Sequence, residues 1–211
     1  MRQFFSLEKW DGEAFLNIME KYDASPEMFY HRMTNVLPEF FDLKKIFFLR
    51  FLHDPKHDHF HADRELHFTR VHHSHGNGLE EHYCRRWIAV SLLRDLHQLQ
   101  AKGQHVQHIV GAQISKYHGT DDEYLCLTIA RPSYPSPNRN VSVTLGLLIT
   151  KEVREKVKFL NDSALNRRIV NRTCERCPIV DCKVRAVEPS VIIERDKRRR
   201  VQAALKKVME G

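Results

Sequence analysis

Three cysteines fall within nine residues, in the run Cys174-Glu-Arg-Cys177-Pro-Ile-Val-Asp-Cys182. Two cysteines three positions apart can turn both sulfurs toward one point. A third, five residues later, can close over the same point. Such crowding suits a soft metal centre far better than a disulfide, because thiolates are the ligands such metals choose. A complete site needs a fourth ligand. Cys84 lies 90 residues before Cys174, near the start of a predicted helix whose dipole would favour a thiolate. Cys126 sits between Leu125 and Leu127 in a strand-like stretch and reads as a small core residue.

Two metals remain open on spacing alone. Structural zinc sites are usually built from two knuckles of two ligands each. Three clustered cysteines plus one remote cysteine match a cubane iron–sulfur cluster more closely. Arg85, Arg86, Arg176, Lys183 and Arg185 flank the cysteines, and their charge would offset that of four thiolates. Histidines offer a second candidate. Eight of the 14 fall between His53 and His75, and His57, His59 and His61 alternate. On a strand these three would share one face and could bind zinc or nickel, although a solvated hairpin tip explains them equally well. No nucleophile, base and orienting group stand together, and the sequence contains no phosphate loop or Gly-x-Ser-x-Gly, so it is read as a non-enzyme.

These groups need elements to hold them. Asp11 caps a predicted helix carrying Phe15, Ile18, Met19 and Tyr22 on one face. Ser25-Pro26-Glu27 opens a second, with Met28, Phe29, Met33, Val36 and Leu37 as its apolar face and Pro38 as its end. A buried strand is expected over 46–52 and a hairpin partner over 65–71. The stretch 80–101 reads as a long helix closed by Gly103. The period then switches to two over 105–118, 124–133 and 141–149, three strands of an antiparallel meander. A short helix follows over 151–160, then the cysteine run. A terminal helix over 190–209 is predicted to point Val201, Ala204, Leu205 and Val208 inward.

The sum is an α+β fold, an antiparallel sheet with helices packed on it and a C-terminal helix after a cysteine-rich metal loop. Two regions are distinguished: 1–75, helices plus a hairpin, and 76–211, which holds the four-cysteine site and the basic terminal helix. They are expected to form one compact unit.

Charge is uneven within 211 residues of net charge +7. From Lys151 onward there are 17 Lys and Arg against 9 Asp and Glu, a net +8, which leaves −1 for the first 150 residues. The strongest basic block, Arg195-Asp-Lys-Arg198-Arg199-Arg200, could contact DNA phosphates or the phosphates of a small molecule. It could equally be the polar face of an amphipathic helix. An apolar content of 42% excludes a wholly disordered chain. The longest apolar stretch is far too short to cross a bilayer, and the first residues do not form a leader. A cytoplasmic protein without a membrane partner is expected.

The run 173–186 resembles the C-terminal signature of the short-chain fatty acyl transcriptional regulators, bacterial regulators of the XRE type that include propionate-responsive members. Ser25-Pro26-Glu27-Met28-Phe29-Tyr30-His31-Arg32-Met33 and Phe47-Phe48-Leu49-Arg50-Phe51 resemble that family's middle region, and Gly76-Asn77 followed by Cys84 and Trp87 matches it again. The likeness spans about 23–189. It implies a sensory region that binds acyl-CoA and holds a [4Fe-4S] cluster on Cys84, Cys174, Cys177 and Cys182. Arg85, Arg86 and Arg131 are the candidates for the acyl-CoA phosphates. DNA contact would come through a helix-turn-helix domain that this chain lacks, or else through Arg195, Arg198, Arg199 and Arg200. A homodimer is expected. The sequence departs from the family pattern at Arg85-Arg86, where Pro-Leu is common, and after Cys182. Two other readings stay open: a structural zinc domain that mediates association, and an autonomous DNA-binding protein working through its basic terminal helix.

Overall fold

The computed structural model describes residues 1–67, 81–136 and 138–210, with side chains to residue 209. The architecture is α+β: six strands in one open sheet, mostly antiparallel, with helices packed on it. The backbone divides into two units, and the division is discontinuous in sequence. The first comprises Met1–His73 with Arg86–Val170, and the second Ser74–Arg85 with Asn171–Gly211.

The first unit opens with three helices, α1 (Arg2–Phe5), α2 (Gly12–Glu20) and α3 (Pro26–Phe41). The expected caps are formed. The Asp11 carboxylate accepts the Ala14 N–H at 3.0 Å and Ser25 Oγ accepts the Met28 N–H at 3.3 Å, each satisfying a donor that the first turn leaves orphaned. Pro38 does not end α3. It sits inside the last turn, and the helix runs on until Asp42 adopts a left-handed conformation (φ 53°) and returns its N–H to the Leu37 carbonyl. Phe41, in that extra turn, packs edge-on against Phe5 at 5.6 Å. Tertiary packing there outweighs the proline's loss of one helical bond.

Strands β1 (Ile46–Asp54), β2 (His59–His67), β3 (Ile109–Tyr117), β4 (Glu123–Pro132), β5 (Asn140–Leu148) and β6 (Asn166–Val170) lie in the order β2-β1-β5-β4-β3-β6. The expected meander is β3-β4-β5. Strand β6, which the sequence reading missed, pairs parallel to β3 at one edge. The β1–β2 turn occupies only residues 55–58, so the predicted hairpin partner begins six residues earlier than expected. The predicted Gly76-Asn77-Gly78 break and His72, His73 and His75 lie outside the described residues.

Both sheet faces are covered, which explains why β4 and β5 are buried almost without alternation. On one face Ile46, Phe48, Leu125, Leu127, Val143 and Leu145 join the aromatic cluster of α1–α3. On the other lies α4 (Ile88–Ala101), with Val90, Leu93 and Leu96 fully buried. Two polar pairs on this second face are hydrogen-bonded. Thr128 and Thr144 share a hydrogen bond of 2.8 Å, and Gln100 of α4 exchanges two bonds of 2.9 Å with Asn140. Cys126 is buried there too, and burial pushes its thiol up to about 12. It therefore stays protonated, as expected of a core residue. A short helix α5 (Lys151–Lys156) and one 3-10 turn (Lys158–Asn161) lead into β6.

Helix α4 starts eight residues later than the predicted helix, so Cys84 lies on an extended segment and not in a helix dipole. The second unit ends in α6 (Ser190–Glu210). This helix forms as predicted, but Val201, Leu205 and Val208 are 52%, 57% and 80% exposed, and Ala204 is exposed as well. The inward-facing stripe is thus corrected: the amphipathic pattern is real, and no described residue covers it. Among the described residues no helix is long and apolar enough to cross a membrane.

Candidate functional site

All four predicted ligands belong to the second unit. Residues 82–84 and 172–174 form an antiparallel bridge in which Tyr83 faces Thr173. Cys84 N–H donates to the Arg172 carbonyl at 3.0 Å, and Cys174 N–H donates to the His82 carbonyl at 2.8 Å. Residues flanking a facing pair project to the opposite side of the ladder. Cys84 and Cys174 therefore share one face as diagonal neighbours, a relation that places α-carbons about 7–8 Å apart. The 90-residue gap in sequence is closed by two backbone hydrogen bonds.

The remaining sulfurs follow from the turn. Cys177 N–H donates to the Cys174 carbonyl at 3.2 Å, and Arg185 N–H donates to the Cys182 carbonyl at 3.2 Å. Cys84, Cys174 and Cys177 are about 5–6% exposed, and Cys182 is half-buried. Two sulfurs accept backbone N–H groups, Cys84 from Asn171 at 3.5 Å and Cys174 from Ala186 at 3.4 Å. A neutral thiol is a weak acceptor, whereas a thiolate gains real stabilisation from such donors. All five cysteines are free of disulfides.

Charged side chains brace this arrangement. The Arg185 guanidinium donates to the carbonyls of Cys174 (3.0 Å), Cys177 (3.3 Å) and Ile179. It ties these three carbonyls of the turn together. Glu81 accepts a paired contact from Arg176, with Nη2 at 2.6 Å, and a bond from Thr173 Oγ1 at 2.7 Å. Glu175 accepts both the backbone N–H and Nδ1 of His82, at 3.0 and 2.8 Å. Sequence reading noted Arg176 and Arg185 as charges only. Their pairing with Glu81 and with main-chain carbonyls arises from the fold and left no local signal.

Removing the Arg185 donors should loosen the turn. Arg185→Met is expected to raise amide exchange over residues 174–179 by roughly 10-fold or more, since bonds to a charged donor are worth about 1.5–3 kcal/mol. Exchange in β4 and β5 serves as the unchanged reference. Equal protection in the variant would show that the turn holds itself.

Among the described residues no three His, Cys, Asp or Glu side chains form a group that could hold a metal ion. The thiols are thus not gathered round a single-ion point, where zinc–sulfur bonds of about 2.3 Å would crowd them together. A cubane cluster interposes iron and sulfide, so each thiolate takes a separate corner and the sulfurs stand farther apart. Of the four predicted ligands, Cys84 and Cys174 are the two that the bridge itself sets on one face, each with a backbone N–H donor at its sulfur.

The histidine candidate dissolves into separate contacts. His57 lies in the β1–β2 turn, where Nδ1 meets Asp54 at 2.8 Å, and His59 and His61 are exposed on β2. His53 is buried and stacks on Phe60 at a centroid distance of 4.3 Å.

The predicted ligand arginines do not assemble one site. Arg85 is buried in the second unit. Arg86, in the first, donates to the Ile169 carbonyl at 3.3 Å. Arg131 is bonded to Glu27 at 2.7 Å and to the Pro132 carbonyl at 2.9 Å. Glu27, however, lines an open cavity of about 1360 Å³ in the first unit, which sequence reading did not find. Its apolar wall includes Met28, Met33, Val36 and Phe48, and Arg32 and Arg64 stand among its polar groups. Arg50 bridges Asp63 at 2.5 Å and Glu27 at 3.7 Å, and Glu27 Oε2 is buried with no hydrogen-bond partner among the described residues. The available signal was on α3. Met28 and Phe40 are 67% and 65% exposed, so the apolar face of that helix is wider than the core needs.

Arg195, Arg198, Arg199 and Arg200 all lie on α6 and are exposed. Arg198 pairs with Glu194 at 3.1 Å and Arg195 with Asp196 at 3.7 Å. Set beside known proteins, the chain matches no protein-family model, no curated protein and no solved structure.

Proposed function

We propose that this chain is the sensory part of a bacterial transcriptional regulator, with a [4Fe-4S] cluster held by Cys84, Cys174, Cys177 and Cys182. One observation carries the reading. The backbone bridge sets mid-chain Cys84 and Cys174, the first of the C-terminal trio, on one face, each receiving an N–H donor at its sulfur. When bound, the cluster would supply one-electron chemistry and sensitivity to oxidants. The chain's own part is to bury the thiolates, to donate hydrogen bonds to them, and to set the cationic Arg185 against the turn that bears them.

The cavity of the first unit is the natural place for the acyl-CoA-type ligand. An apolar wall suits an acyl chain, and Arg32 and Arg64 suit phosphate or carboxylate groups. Contact with operator DNA would then come from a helix-turn-helix domain of a longer regulator.

Anaerobic purification followed by iron and sulfide analysis tests the cluster. About four irons and four sulfides per chain are expected, with a broad brown absorption that oxygen bleaches. A colourless protein with one zinc per chain would instead establish a structural zinc domain, which has no redox chemistry of its own.

A further inference from the structure

The cavity beside α3 is long. Met28, Arg32, Val36 and Phe40, each four residues from the next, all line it, so it follows the helix for about 18 Å. Its volume of about 1360 Å³ exceeds the roughly 300–1,000 Å³ of most small-molecule sites. A short acyl group would leave most of it to water.

Its wall is more apolar than folding requires. Among the described residues of the first unit, six large apolar side chains are exposed, and four of them, Tyr22, Met28, Phe40 and Leu66, line this one cavity. Phe29, Met33 and Phe48 line it too and are buried. Apolar surface gathered in this way marks a place where something apolar binds. The methionines are unbranched and adaptable, and can close on a flexible chain.

Charge gives the cavity a direction. Its acidic groups have partners: Arg131 lies 2.7 Å from Glu27, Arg50 lies 2.5 Å from Asp63, and His67 lies 3.5 Å from Glu65. Arg32 and Arg64 have no carboxylate within ion-pair distance among the described residues. Both stand toward the start of α3. Arg32 is in its second turn, and Arg64 faces Arg50, whose Nε is 3.7 Å from Glu27. Toward the other end lie Phe40 and Phe41 with the exposed Arg2, which a smaller neighbouring cavity shares. That third cation ends the apolar run. Arg32 to Phe40 spans about 12 Å. An extended chain advances about 1.2 Å per bond, since three backbone bonds span about 3.3–3.6 Å, so about ten bonds fit. Resting on the acyl-CoA reading of this cavity, we propose that it selects an unbranched acyl chain of about ten to twelve carbons. The anionic head is held by Arg32 and Arg64, and the chain is longer than the family resemblance implies.

Titration calorimetry of the full chain with propionyl-, octanoyl-, dodecanoyl- and hexadecanoyl-CoA, below micelle-forming concentrations, tests this. A chain half covered by an open groove gains about twofold in affinity per methylene, so dodecanoyl-CoA should bind at least about 100-fold tighter than propionyl-CoA. The series should level off there, with hexadecanoyl-CoA within about 3-fold of dodecanoyl-CoA, because added methylenes stay in water. Phe40→Ser, at an exposed position, should flatten the series and weaken dodecanoyl-CoA by about 5-fold. Arg32→Gln with Arg64→Gln should weaken every length by one common factor of about 10. Dodecanoate should bind more tightly than dodecyltrimethylammonium. The unaltered chain decides chain length alone, whatever the variants do. Propionyl-CoA bound as tightly as dodecanoyl-CoA would overturn the proposal and leave the acyl-CoA reading standing, whereas no binding at any length would overturn both. Equal binding of the cationic and anionic amphiphiles would also overturn it. So would protection of 28–40 from hydrogen exchange that rises with protein concentration in the absence of acyl-CoA, which would make the groove a contact between two copies of the chain.

Discussion

Cys84→Ala should leave the chain without iron or sulfide, while Cys126→Ser keeps both. The two cysteines are equally buried, so burial alone does not separate them. Position does. Cys84 lies on the bridge beside Cys174 and receives the Asn171 N–H on its sulfur. Cys126 is enclosed in β4, where its thiol is pushed up to about 12 and donates weakly to the Tyr124 carbonyl at 3.9 Å. A cluster short of one thiolate has a solvent-open iron and is lost in air. Iron and sulfide assays on the two variants, prepared anaerobically side by side, read the difference. Equal iron in both would remove Cys84 from the ligand set.

The largest effect on stability should come from Gly146. It faces Phe47 across the β1–β5 ladder, and the Phe47 ring lies over the glycine where a side chain would otherwise stand. Even the methyl group of Gly146→Ala would overlap that ring. The ring cannot easily yield, because it is 2% exposed and packs on Tyr124 at 5.3 Å. Overpacking of this kind costs about 1–3 kcal/mol, which lowers the unfolding midpoint by roughly 2–12 °C in a chain of this size. Gly146→Val should not yield folded protein. Adding Phe47→Leu to Gly146→Ala should recover much of the loss, a coupling that thermal unfolding of the four proteins measures. Additive midpoint shifts would mean that the ring and the glycine do not compete for space.

Much of the sheet was legible because its signals are local. Alternation marked β3, β4 and β5, and the caps at Asp11 and Ser25 marked two helix starts. Strand β6 was not legible. Its sequence, Asn-Arg-Arg-Ile-Val, is polar and short, and it is held as a parallel edge by β3. The early start given to α4 had a similar origin. Acidic residues and apolar spacing looked like a first turn, yet 82–84 pair with 172–174 and the helix opens only after Trp87. Pro38 shows the reverse error, a local breaker overruled by packing of the turn beyond it.

The cysteine trio stood out by its spacing, and Cys84 was singled out partly for a helix start that the structure places after it. What spacing could not reveal is how the partners meet. That depends on a bridge between segments 90 residues apart and on the Glu81–Arg176 and His82–Glu175 pairs that secure it. The cavity was hidden for the same reason, since its walls come from α3 and from both strands of the β1–β2 hairpin. Amphipathicity revealed the apolar stripe of α6 but carried no information about what lies against it.

Residue-resolved alkylation is the most direct measurement of whether one mid-chain and three C-terminal sulfurs share a centre. The anaerobic chain is treated with a thiol reagent before and after iron is stripped by a chelator, and each cysteine is followed by mass spectrometry. Cys84, Cys174, Cys177 and Cys182 are expected to be protected together and to become reactive together, in proportion to the iron removed. Alkylation of Cys84 at the same rate whether iron is present or absent, with the other three protected, would contradict a shared centre.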